Sequence, residues 1–466
     1  MTILSESIDD VDVEIKFVNS SRKKQKTVID HYEFIKQLNN FYFYKIWIAD
    51  DLKLQEDEKI RLKSSGVSID AVVISAHETQ YFTIRTTTKL TEEIYYVTRL
   101  FDPTFILDAL KQSLSSIDIS SSELLRKIIE KLIHNEAIEI NDESQFLDNL
   151  NQAQKVAILL TESTEVSLIW GPPGTGKTHT LSQIIYRAFL RDEKVLVLST
   201  SNVAIDQVIL YLDKFLYSDE KKYVLRLGYT DDDICMQYIR DSLSSIDESI
   251  VFSTLATATL KNEKLLEVSF DLVIVDEASM VSLPYAFLAA SMSSRNIVYT
   301  GDFRQLPPIA LAEKTSLSEN IFDYLRVSEK IDKNISPPYL ALLDTQYRMC
   351  RDISDVVSSL FYKNLLKCGV DQFQKGKLEF INIDRASGYY DSYYSIEYKS
   401  YYNPITIAIL AEKFNQFNNS TFLFISPYRA QQNIISYYLI DRNYKNGRSL
   451  TVHKSQGSEA DIVVFD

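Results

Sequence analysis

The stretch that most constrains this chain is Val166 to Thr178, VSLIWGPPGTGKT. A mostly apolar run leads into Gly171, Pro172, Pro173, Gly174, Thr175, Gly176, Lys177 and Thr178. The pattern predicts a buried strand, a loop that turns its amides inward, and a helix start. Glycines let the backbone aim N–H groups at phosphate oxygens, a lysine at this offset reaches the β and γ phosphates, and the next hydroxyl ligates magnesium. A plain glycine turn would explain the glycines but not the Lys177-Thr178 pair behind them. The stretch reads as a nucleotide-binding P-loop.

The rest of the chain has the length and patterning for such a site. Its 466 residues, 45% of them hydrophobic, suit about three domains of roughly 100 to 200 residues each. From Asn151 onward strand and helix patterns alternate, which calls for parallel sheets covered by helices on both faces. One sheet domain is expected over 151–340 and a second over 341–466. Residues 1–102 alternate apolar and polar positions in short runs, at Val11-Val13-Ile15-Phe17, Phe41 to Ile48, Val67 to Ser75 and Tyr81 to Thr86. This predicts a small β-barrel or sandwich. Between Pro103 and His134 the apolar spacing turns helical, so 103–150 should form a two-helix stalk and linker. The expected fold class is α/β, two tandem parallel-sheet domains preceded by a small β-barrel and a helical stalk. One biased segment, Tyr389 to Tyr402 (YYDSYYSIEYKSYY), reads either as a tyrosine-rich surface loop or as a base-stacking platform.

Charge and cysteines narrow the function classes. A net charge of -14 argues against a protein that coats nucleic acid non-specifically, while leaving room for a local basic groove. Cys235, Cys350 and Cys368 are scattered, and with five histidines they make no zinc pattern. A reducing cytoplasm and no structural metal are expected. The opening MTILSESIDD is acidic where a secretion signal is basic and then apolar, and no apolar run approaches the ~20 residues of a membrane span.

Further motifs fit phosphoryl chemistry. Apolar Leu272 to Val275 leads into Asp276-Glu277-Ala278-Ser279, two carboxylates at the end of a buried strand, where α/β sheets bind ligands. Asp276 would hold magnesium through water and Glu277 would orient or deprotonate the attacking water; a helix N-cap is the other use of such a pair. Ile297 to Tyr299 forms another strand, followed by TGDFRQLPP, in which Gln305 is the candidate γ-phosphate sensor. Asp344 to Met349, DTQYRM, brings Arg348, which suits the γ-phosphate or an ordinary surface salt bridge.

Taken together, Leu150-Asn151-x-x-Gln154, GPPGTGKT, Ser199 to Gln207 (STSNVAIDQ), VDEAS, GDFRQLPP, DTQYRM, Ser426 to Gln431 (SPYRAQ) and Thr451 to Asp461 (TVHKSQGSEAD) stand in the order found in superfamily 1 helicases. The chain resembles the up-frameshift type of superfamily 1B, with TVHKSQGSE closer to RecD-type and nidovirus helicases and Ser458 where arginine is usual. The resemblance implies two RecA-like domains behind an accessory 1B barrel and stalk, and an ATP hydrolase that needs Mg2+ and works on single-stranded DNA or RNA. It implies Gln154 at the adenine edge, Tyr347 on the base, Arg348 at the γ-phosphate, and Gly457 and Glu459 at the nucleotide, Glu459 on the ribose side. For the single-strand path it implies Ser201, Asn202, Ser253, Thr254, Pro427, Tyr428, His453 and Lys454, mostly small hydroxyl, amide and backbone donors that suit positioning a strand without reading bases. A hydroxyl satisfied at a strand end is the competing reading for each of these.

The family carries a motif VI arginine beyond motif V, and this sequence stops at Asp466. The expectation is a truncated product or fragment whose second RecA-like domain is incomplete, as against an intact protein that dispenses with motif VI. Two functions follow. One is a 5′ to 3′ motor; the other is an ATP-binding switch for nucleic acid or protein partners, with little hydrolysis because motif VI is absent.

Overall fold

The computed structural model describes residues 2–20, 26–38, 41–48, 54, 59–64, 66–77, 81–91, 95–99, 104–118, 122–131, 133, 149–228, 230, 232–239, 249–312, 314–370, 378–380, 392–396, 400–414, 420–441, 444, 446–455 and 460–466. It opens on a helix, α1 (Thr2–Ser20), where alternation at Val11, Val13, Ile15 and Phe17 predicts a strand. A second pattern wins over these residues. Leu4, Ile8, Val11 and Ile15 recur every three or four positions, the spacing of one helical face. Leu4 and Val11 are buried in the largest core, with Ile8 and Ile15 packed against it, whereas Val13 and Phe17 are exposed.

The barrel therefore starts after α1. It comprises β1 (Lys26–Leu38), β2 (Phe41–Ile48), β3 (Lys59–Lys63), β4 (Ser68–His77), β5 (Tyr81–Thr86) and β6 (Tyr96–Arg99), closed in the order β1-β2-β5-β4-β3-β6 with every pairing antiparallel. Closure leaves no open sheet edge. Alternate residues point inward, giving a core of its own around Tyr44, Ile46, Ile60, Leu62, Val73, Ile84 and Val97.

Two helices follow, α2 (Phe105–Ser116) and α3 (Glu123–Ile129). Their apolar faces, Leu110 and Leu114 on α2 and Leu124, Leu125 and Ile128 on α3, join the same core as α1. The expected stalk is thus packed along the flank of the next domain.

That domain alternates as its pattern predicts: α4 (Gln152–Ser163), β7 (Val166–Trp170), α5 (Lys177–Leu190), β8 (Val195–Ser199), α6 (Asn202–Leu212), β9 (Val224–Arg226), α7 (Asp233–Met236), β10 (Ile250–Thr254), α8 (Leu255–Leu260), α9 (Asn262–Leu266), β11 (Phe270–Val275), α10 (Leu283–Ser291), β12 (Ser293–Gly301), α11 (Ile321–Tyr324), α12 (Val327–Asp332) and β13 (Leu340–Leu342). The seven strands lie parallel in the order β13-β7-β12-β11-β8-β10-β9. β7, β8 and β10 are buried at every residue, which is why they read as near-continuous apolar runs. Separate cores fill the two faces. Since β13 pairs with β7, the first sheet runs two residues past the expected boundary at 340.

The remainder contains β14 (Thr345–Gln346), α13 (Arg351–Phe361), β15 (Lys367–Cys368), β16 (Tyr393–Ser395), β17 (Ser400–Tyr402), α14 (Pro404–Phe414), β18 (Phe422–Ser426), α15 (Arg429–Asp441), β19 (Gly447–Thr451), α16 (Val452–Ser455) and β20 (Ile462–Phe465). A second parallel sheet, β19-β18-β20, is packed by Leu410 of α14 and by Ile435 and Leu439 of α15. The architecture is mixed α/β with RecA-like parallel-sheet domains behind a closed six-stranded barrel. Among the described residues no helix is long and apolar enough to cross a membrane.

Candidate active site

Strand order explains why distant motifs meet. β7 has β12 on one side and β13 on the other, and β11 follows β12. The segments leaving these four strands, 171–178, 300–308, 344–349 and 276–279, therefore share the C-terminal edge of one parallel sheet, where such sheets bind ligands.

The P-loop follows β7, and α5 begins at Lys177. Gly174 and Gly176 are left-handed, at φ of 74° and 78°. Each also sits where a side chain cannot. A Cβ on Gly174 would lie 2.5 Å from Arg348 Cβ, and one on Gly176 would lie 2.6 Å from Gln154 Nε2. A Cβ on Gly171 would press on the Lys177 stem, 3.1 Å from its Cδ. Inside the loop, Thr175 is buried and donates its hydroxyl to Pro172 O at 2.7 Å.

Lys177 Nζ lies 2.5 Å from Glu277 Oε1 and 3.3 Å from Asp276 Oδ1. Burial alone would push this ammonium down, but the two carboxylates outweigh it and hold Lys177 above the usual lysine range. Burial likewise pushes Asp276 up, with Lys177 opposing it. Glu277 is left-handed at φ 54°, a conformation that costs a non-glycine residue of order 1–3 kcal/mol and concentrates at functional sites. Asp276 Oδ1 accepts from the Glu277 amide at 2.8 Å. The pair is thus a paired-charge pocket rather than the helix N-cap it resembles.

Gln305 is tethered, its Nε2 donating to Asp302 Oδ2 at 2.8 Å. Asp302 is a hub that sequence reasoning missed. Buried, it also accepts from Trp170 Nε1 at 2.8 Å, from Tyr362 OH at 2.6 Å and from the Arg304 amide at 3.1 Å. Burial and the Asp302 charge push the Tyr362 phenol up. Nothing in the spacing announces Tyr362, which lies 60 residues away just past α13.

Gln154 is buried, caps α4 by accepting from Asn151 N at 3.0 Å and donates to Thr175 O at 3.1 Å. Tyr347 is half-exposed, donates its amide to Gly174 O at 2.8 Å, and takes a hydrogen bond from Asn151 Nδ2 on its hydroxyl at 2.8 Å. Arg348 is exposed beside Gly174. Thr178 occupies the second position of α5. Gly457 and Glu459 lie outside the described residues.

The residues expected on the strand path divide. Ser201 and Thr254 cap α6 and α8, accepting from Ala204 N and Thr257 N, each at 3.2 Å, and Ser253 Oγ donates to Thr254 O at 3.1 Å. Asn202 is buried; its Nδ2 donates to Ile74 O of the barrel at 3.1 Å, and its Oδ1 accepts from the fully buried Arg226 at 2.6 Å. It is a joint between barrel and sheet. Pro427 and Tyr428 are exposed on the turn from β18 into α15, and His453 and Lys454 lie on α16.

Known proteins bear on this arrangement. Two family models, each described as an AAA domain, match the chain, one over 149–248 and 238–313 and the other over 321–466. The chain is 28% identical over 374 residues to the DNA replication ATP-dependent helicase/nuclease DNA2 of Bos taurus, an alignment covering 68% of this chain and 34% of that protein. The Homo sapiens protein of that name is 30% identical, over 59% of this chain and 26% of its own length, and the Saccharomyces cerevisiae one 32% identical, over 50% and 15%. The chain thus spans about a third or less of the length of these relatives. Among solved structures, arterivirus nonstructural protein 10 (helicase) matches with a TM-score of 0.41 at 11% identity, over 97% of this chain and 73% of that one. Its complex with DNA matches at 0.42 and 13%, over 98% and 72%.

Proposed function

We propose that this chain is a nucleic-acid enzyme of the superfamily 1 helicase type, a reading its AAA-domain matches and helicase relatives support, and that it is a motor that hydrolyses ATP between its two RecA-like domains and moves 5′ to 3′ along a single strand. The observation that carries the reading is the contact between DTQYRM and the P-loop. The segment that leaves the first sheet for the second domain hydrogen-bonds Gly174 through Tyr347 N at 2.8 Å and fits only because Gly174 lacks a Cβ. A change at the phosphates is therefore passed directly to the second domain.

The residues fit a magnesium nucleotide. The site pairs a buried ammonium with two carboxylates, and its loop glycines exclude side chains from the cradle. Magnesium bound with ATP neutralises phosphate charge. Thr178 and Asp276 would hold it. Lys177, now paired with Glu277, would exchange that carboxylate for phosphate and so free Glu277 to take a proton from water. Gln305, braced by Asp302, would face the γ-phosphate, and Arg348 would stabilise charge on the transferring group. Its motifs support the up-frameshift type, with a RecD- or nidovirus-like motif V, as the proposed subtype. The names of its relatives make single-stranded DNA the first substrate to try, RNA the second, and the cytoplasm is the proposed location.

Fluorescent partial duplexes with a 5′ or a 3′ single-stranded tail test the motor. The expected result is ATP-dependent unwinding from the 5′ tail. Unwinding from the 3′ tail overturns the direction, and none from either, with no strand-stimulated turnover, favours the switch.

A further inference from the structure

The tyrosine-rich segment left two readings open; Tyr389, Tyr390 and Tyr398 lie outside the described residues, and the structure arranges the rings of Tyr393, Tyr394, Tyr401 and Tyr402. β16 and β17 pair antiparallel with Tyr393 opposite Tyr402 and Tyr394 opposite Tyr401. Opposed residues share a face and neighbours alternate, so Tyr394 and Tyr401 line one side of the hairpin. Their ring centroids are 5.2 Å apart. Tyr401 in turn stands edge-on to Tyr428, at 6.1 Å and 78°. One row of rings thus runs from the hairpin to the SPYRAQ turn, at the C-terminal end of β18. The row is anchored, since Asn403 N, next to β17, donates to Gln431 Oε1 of α15 at 2.8 Å, and Asn403 Oδ1 accepts from Ile405 N at 2.9 Å at the start of α14. Yet the rings stay open to solvent, with Tyr394, Tyr401 and Tyr428 at 53%, 49% and 48% exposure.

We propose that Tyr394, Tyr401 and Tyr428 form a stacking platform for the bases of a single-stranded polynucleotide, extending the strand path beyond the SPYRAQ turn. This rests on the nucleic-acid reading above. Three features select bases as the occupant. The row is continuous with Tyr428, already on the expected path. Aromatic faces accept every base, which suits a motor that must not pause at particular sequences. Uncharged stacking also lets a chain of net charge -14 grip a polyanion without many cations.

The test compares dT and rU oligonucleotides with an abasic strand carrying the same number of phosphates, by fluorescence anisotropy. Stacking is worth roughly 10-fold or more in affinity per base, so Tyr394→Ala/Tyr401→Ala should weaken dT and rU binding by about 100-fold, leave the abasic strand and the salt slope unchanged, and be rescued by phenylalanine at both positions. Tyr394→Trp, which does not depend on the alanine variant folding, should lose indole emission on adding dT but not on adding the abasic strand. Equal losses on all strands, no loss, or no quenching overturns the platform alone. A native chain that binds none of the strands overturns the nucleic-acid reading and the platform together.

Discussion

Gly174→Ala is the sharpest probe of how the two domains communicate. The backbone there is left-handed, at φ 74°, which costs an alanine about 1–2 kcal/mol. The added Cβ would lie 2.5 Å from Arg348 Cβ and 3.2 Å from its amide nitrogen. Carbon pairs settle at roughly 3.5–4.0 Å, so the DTQYRM segment must withdraw by about 1 Å. A catalytic group misplaced by about 1 Å loses about 10²-fold in rate. Steady-state ATPase should therefore show kcat down about 100-fold. Gly176→Ala is the internal control. It carries the same left-handed strain, at φ 78°, but its Cβ meets the far end of Gln154 at 2.6 Å, so it should raise KM more than it lowers kcat. Because Gly174→Ala acts by displacing Arg348, combining it with Arg348→Ala should cost no more than the worse single variant. Additive losses, or a Gly174→Ala kcat within about twofold of the native chain, would refute the argument.

Lys177→Ala should abolish turnover, whereas Glu277→Gln should keep nucleotide affinity and lose turnover; a parallel fall in both for Glu277→Gln would make that residue structural. Asn202→Ala removes a partner from buried Arg226 and from Ile74 O, which should cost about 1–3 kcal/mol and speed proteolysis of the barrel, read by thermal unfolding and mapped cleavage. Glu193 binds Arg191 at 2.8 Å and Arg295 at 2.5 Å; burial alone would raise its carboxyl, but the two guanidiniums outweigh burial and hold it below the ordinary 4.5. Its stabilisation is therefore complete above pH 4.5 and disappears as pH falls through the lowered value, so Glu193→Gln should lose about 1 kcal/mol at neutral pH and match the native chain in acid. A constant difference across pH would contradict that linkage.

Much of this was readable because buried parallel strands leave a simple trace. β7, β8 and β11 are apolar along nearly their whole length, and GPPGTGKT, STSNVAIDQ and VDEAS sit where they end. The barrel strands β2 and β5 declared themselves by alternation. α1 did not, because Val11, Val13, Ile15 and Phe17 satisfy a two-residue period while Leu4, Ile8, Val11 and Ile15 satisfy a helical one, and only burial against α2 and α10 decides between them. Side-chain allegiances were less accessible. Asn202 has the residue type of a strand contact, but Arg226 and the barrel claim its amide. Asp302 went unremarked beside Gln305 in GDFRQLPP, yet it also holds Trp170 and Tyr362 through contacts that no local spacing encodes.

In the proposed motor, nucleotide chemistry in the P-loop domain is coupled to a single strand. The most direct measurement is ATP turnover of this chain with magnesium, with and without single-stranded DNA or RNA, beside Lys177→Ala. Turnover should rise on adding strand and vanish in the variant. Turnover indifferent to both nucleic acids, or undiminished in Lys177→Ala, would contradict the motor.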